Sequence, residues 1–178
     1  MMTFLIILSA LLWIASFAAL PKKILLSPAL SFLAMVTITF ARMDGFPVVP
    51  LTQGMIISWL SITLVVMLTV ILQNAAIRQQ SRGLGYMTLG ALAGMAIGLL
   101  AYSFSSSLQL LYALSIIGAA IGISLGFLIF TNTPDGRAVA PGSGNFFRYL
   151  LAKGFPTLVT TAQLAVVLVV IIIGYAPL

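Results

Sequence analysis

Long apolar runs separated by short polar breaks dominate this chain. The runs cover about residues 3–20, 24–40, 55–72, 85–103, 108–130 and 156–175. Each is close to the length a helix needs to cross roughly 30 Å of hydrocarbon at about 1.5 Å per residue. The pattern predicts an all-α, polytopic transmembrane bundle of six spans, folded as one domain over residues 1–178.

The breaks carry turn chemistry. Pro21-Lys22-Lys23 closes the first run and leaves room only for a tight antiparallel hairpin with the second. The charges follow the first apolar run rather than precede it, so it reads as a retained span and not a signal peptide. Asp44-Gly45 with Pro47 and Pro50 ends the second run. Gly83 is placed to stop a polar extension of the third. Asn132 to Gly136 turns the chain after the fifth. Residues 146–153 allow two readings. Phe146, Phe147, Leu150 and Leu151 share a helical face, with Arg148 and Tyr149 off it, as in a helix lying in the headgroup layer. The same residues equally suit an early start of the sixth span.

Spans four and five carry glycine every fourth residue: Gly90, Gly94 and Gly98, then Gly118, Gly122 and Gly126. Small-xxx-small stripes let membrane helices approach until backbones touch. A fold-back beside Ser105-Ser106-Ser107, centred on position 108, pairs 90 with 126, 94 with 122 and 98 with 118. The stripes serve packing either within the chain or against a second copy.

Composition sharpens the picture. The chain is 62% hydrophobic and 6% charged, far from the roughly 25% charged residues of soluble domains. Its net charge of +6 comes from eight basic residues against two acids. The first, third and fifth loops hold Lys22, Lys23, Arg78, Arg82, Arg137, Arg148 and Lys153, whereas the even loops hold only Arg42. Short basic loops stay cytoplasmic. The expectation is an integral protein of a cytoplasmic-type membrane with both termini outside and the seven basic residues inside. Orientation accounts for the charge, so no nucleic-acid partner is expected.

Asp44-Gly45-Phe46-Pro47-Val48-Val49-Pro50 lines up with Asp135-Gly136-Arg137-Ala138-Val139-Ala140-Pro141, each after the second span of its half. This suggests an inverted 3+3 repeat, a frequent transporter plan. Turn chemistry alone also favours Asp-Gly and Pro, and the flanking spans barely match.

The chemistry is sparse. The chain has no histidine, cysteine or glutamate, and its acids are Asp44 and Asp135 alone. Zinc and iron sites need clusters of such side chains, so no metal or cofactor is expected. The predicted topology sets the two acids on opposite sides of the bilayer, which leaves no carboxylate pair. Gly142-Ser143-Gly144 lacks the strand–turn–helix setting and histidine of a nucleophile elbow. No catalytic residue is assigned, and an enzyme is not expected. A lipid enzyme holding a headgroup phosphate at Arg137, Arg148 and Lys153 is the weakest alternative.

None of the six runs contains a charged residue, which argues against proton-coupled transport. Gln163, Thr160, Thr161 and Gln109 are the polar residues suited to line a path, with Gln163 deepest in its span. Thr37, Thr39, Ser58, Ser61 and Ser115 are further polar points, and each can instead bond its own helix backbone or a neighbouring helix. Trp59 fits an interfacial belt, while Trp13 lies deeper and suits packing against a neighbour. Two functional expectations follow. The first is a non-enzymatic packing or scaffold subunit of a larger membrane assembly, its partners being lipid, other membrane proteins or a second copy. The second is a small transporter or channel for a neutral or weakly polar solute.

Overall fold

The computed structural model describes residues 2–21, 23–43, 46–73, 82–100 and 107–175. The chain is almost entirely helical. Its elements are α1 (Met2–Ala19), α2 (Leu26–Thr39), α3 (Gln53–Ile71), α4 (Leu84–Leu100), α5 (Leu108–Thr131), a 3-10 turn (Pro134–Val139), the short α6 (Phe146–Tyr149) and α7 (Phe155–Tyr175). A π-turn, Leu150–Gly154, joins α6 to α7. Among the described residues, four segments are long and apolar enough to cross a membrane: α1, α3, α5 and the rod Phe146–Ile173. The other two, α2 and α4, are shorter apolar helices of 14 and 17 residues.

Local chemistry explains the boundaries. Pro28 falls in the first turn of α2, where an amide hydrogen would have no helical partner anyway. Thr52 caps α3 by accepting from the Met55 amide at 3.3 Å. Thr133 caps the 3-10 turn by accepting from the Gly136 amide at 3.3 Å. After α2 the chain makes a two-residue antiparallel ladder, with Arg42 opposite Pro47 and Met43 opposite Phe46. Asp44 and Gly45, the expected turn between them, lie outside the described residues, as do Lys22, Arg78 and the Ser105-Ser106 part of the expected fold-back. The polar stretch expected to stop at Gly83 lies outside the described residues from 74 to 81. Gly83 itself takes φ +85° just before α4, and the Phe130 ring occupies the space a Cβ would need.

Two hairpins, α1–α2 and α4–α5, pack around α7. In the rod containing α7, 61% of the apolar window is buried, against 17% for α1 and for α3. One apolar cluster sets Trp13, Ala34, Met35, Ile38, Val49 and Val167 together between α1, α2 and α7. A second packs Met95, Ala119 and Ala165 between α4, α5 and α7. The two halves of the chain thus differ in their third helices: α7 is enclosed, whereas α3 touches mainly α2 and α7 from the side.

Of the two readings of residues 146–153, the structure has the early start of the last helix and not a helix apart. Phe146 to Tyr175 runs as one helical rod, interrupted only by the π-turn. Tyr149, expected off the apolar face, is fully buried. It stacks on Phe127 at 5.5 Å and on Phe130 at 6.1 Å, and its hydroxyl donates to the Arg82 carbonyl. Phe147, expected on the apolar face shared with Phe146, Leu150 and Leu151, is 72% exposed.

Candidate functional site

The polar residues of the interior converge on one side of α7. Thr157, Thr160, Thr161 and Gln163 are all fully buried. At about 100° per residue, Thr157, Thr160 and Gln163 fall along one side of the helix. Gln163 joins three helices. Its Oε1 accepts from Ser31 Oγ on α2, and its Nε2 donates to Thr63 Oγ1 on α3 at 2.9 Å. Thr63 passes its own proton to the Trp59 carbonyl at 2.7 Å.

One turn away, Thr160 Oγ1 and Ser27 Oγ lie 2.9 Å apart. Ser16 extends the chain to α1 by donating to the Ser27 carbonyl at 2.8 Å. Ser9 ties α1 to α2 again through the Ala34 carbonyl at 2.9 Å. Thr161 and Thr157 instead bond their own helix, each donating to the carbonyl four residues earlier at 2.8 Å. At these buried positions each polar group would be costly without a partner. The cluster is built of neutral hydroxyl and amide groups, which can join helices or hold a small hydrogen-bonding solute.

The fourth expected path residue is elsewhere. Gln109 is exposed at the start of α5 and takes no part in the cluster. Thr37, Thr39, Ser61 and Ser115 donate to carbonyls three or four residues earlier in their own helices. Sequence reasoning missed Ser16, Ser27, Ser31 and Thr63 as members. Their available signal was the four-residue spacing of Ser27 and Ser31 and the seven-residue spacing of Ser9 and Ser16 on otherwise apolar helices.

Of the basic set, Lys23, Arg82, Arg137 and Arg148 are exposed. Lys153, expected at the surface, is 1% exposed because the π-turn carries it into the bundle. Arg82 bonds Asp135 at 2.8 Å in an exposed ion pair. No group of three or more metal-ligating side chains occurs among the described residues.

The glycine stripes meet as α4 and α5 cross. A Cβ at Gly90 would collide with the Gly122 carbonyl, one at Gly94 with Gly118, and one at Gly98 with Leu114 and Ser115. Gly126 faces the Tyr86 carbonyl. The register is one turn away from the pairing centred on position 108, and the backbones meet as 90 with 122 and 94 with 118. On the outer wall the bare backbones leave an apolar groove of about 490 Å³, which runs over Gly90, Gly94, Gly118 and Gly122 between the flanks Leu89 and Ile121.

No protein family, curated protein or solved structure matches this chain.

Proposed function

We propose that the chain is a non-enzymatic, multi-pass packing subunit of a larger membrane assembly. In this reading α2 and α4 also cross the bilayer, giving six spans with both termini outside. The observation that carries it is the setting of α3. Only Thr63, Val66 and Val70 of this helix are buried, while Ile57, Leu64, Val65 and Leu68 are each 57% or more exposed. A helix fastened along one narrow stripe offers the rest of its circumference to a neighbour. The bundle interior supports the same reading, since its buried cluster is used in joining α1, α2, α3 and α7.

Purification in mild detergent, with a photo-crosslinking side chain at Leu64, tests this. Specific capture of another membrane protein is expected. A lone, stable monomer that captures only detergent or lipid would overturn the proposal.

A second reading, a carrier for a small neutral solute, is favoured by Gln163. Its amide sits at the meeting point of three helices, where relative movement would expose both a donor and an acceptor. Vesicles containing the protein should then pass such solutes faster than empty vesicles, and Gln163→Leu should reduce the flux. Equal flux in both would remove this reading.

A further inference from the structure

We infer that the outer groove of the α4–α5 hairpin holds one acyl chain of an anionic phospholipid, whose headgroup phosphate lies against Arg137 at the groove's basic end. The inference stands apart from the packing role of α3. Four observations support it.

The groove is almost purely apolar, so its occupant must be hydrocarbon along its length. Its volume of about 490 Å³ lies within the roughly 300–1,000 Å³ typical of ligand sites. Its length favours a chain over a helix. From Tyr86 at one end to Ile97 at the other the α4 rise is about 16 Å. That is half the roughly 30 Å hydrocarbon thickness, the reach of one lipid leaflet, whereas a spanning helix would need a seam about twice as long.

The fourth observation is charge. Tyr86 and Ile129 close one end of the groove. Tyr86 faces the Phe130 ring at 6.1 Å, and the same ring covers Gly83, next to Arg82. Arg82 holds Asp135 at 2.8 Å. Arg137 follows two residues later on the 3-10 turn, which Gly136 seats against the Phe130 carbonyl. Arg82, Asp135 and Arg137 therefore cluster beyond this end, and these three side chains together carry one net positive charge. An acyl tail with a negative head matches both parts.

Native mass spectrometry of the full chain can decide the matter, with phosphatidylglycerol and phosphatidylcholine of identical acyl chains as probes. Wild type should bind phosphatidylglycerol about fivefold more tightly, the worth of one basic side chain at an anionic headgroup. Arg137→Gln should abolish that preference but retain binding of both lipids. Ala93→Phe, at an exposed position within the groove, should weaken both without changing helix content by circular dichroism. If Ala93→Phe fails to fold, Ala93→Leu makes the same test with a smaller side chain.

Equal affinity of wild type for the two lipids would overturn the inference. So would undiminished binding by a folded Ala93 variant. A photo-crosslinker at Leu125 should capture lipid; capture of a second copy or another protein there would also overturn it.

Discussion

Gln163 on α7 and Thr63 on α3 are joined by a 2.9 Å hydrogen bond across 100 residues of sequence. Through it the peripheral α3 is fastened to the enclosed α7. Ser31 completes the junction from α2. Interhelical bonds in membranes average about 0.6 kcal/mol and reach about 1.7 kcal/mol. Gln163→Leu should therefore destabilise the folded bundle by about 1 kcal/mol in a reversible denaturant titration. In a double-mutant cycle with Thr63→Val, the combined loss should fall short of the sum of the two single losses. Strict additivity would show that the two groups do not couple.

The α4–α5 contact predicts a sharper response. At Gly94 an added side chain meets the Gly118 backbone, which has no rotamer through which to yield. Gly94→Leu should lower stability by more than about 2 kcal/mol, an overpacking cost, and should increase protease cleavage between α4 and α5. Gly54, near the start of α3, is the control because nothing lies within 4 Å of its added Cβ. Gly54→Ala should be neutral or stabilising by up to about 1 kcal/mol.

Trp13 leads to a different expectation. Its indole Nε1 is buried with no hydrogen-bond partner among the described residues. Trp13→Phe removes that desolvated donor and keeps an aromatic ring among Ala34, Met35 and Val167. The smaller ring loses some packing, so the two effects oppose each other. The melting temperature should stay within a few degrees of wild type, while Trp13→Ala should cost about 3–5 kcal/mol.

Arg82 and Asp135 form a short ion pair, but their side chains are 67% and 59% exposed. Exposed pairs contribute roughly 0–1 kcal/mol and are screened by salt. Asp135→Asn should therefore change stability by no more than about 1 kcal/mol. Whatever difference appears at low ionic strength should shrink in high salt.

The helices were legible because hydrocarbon run length is a local property. The expected spans 108–130 and 156–175 differ from α5 and α7 by one residue at a boundary. The glycine register was not legible to the same degree. A four-residue stripe repeats itself after each turn, so sliding by one turn leaves most small residues facing small residues. Backbone collision distances select 90 with 122 over 90 with 126. Gln163 stood out as a deep amide, but its partners lie 100 and 132 residues away and left no local trace. Lys153 was misplaced for a related reason. A charged residue beside an apolar run reads as its end, and nothing nearby announces a change of helical pitch.

That change of pitch has its own consequence. The wider turn at Leu150–Gly154 lets one rod serve two neighbours at different angles: Tyr149 stacks on α5, while Thr160 and Gln163 engage α2 and α3. Excising a single residue there would swing the aromatic end by about 100° relative to the amide end. One end of α7 would then be out of phase with its surroundings, although every side chain that makes these contacts would still be present.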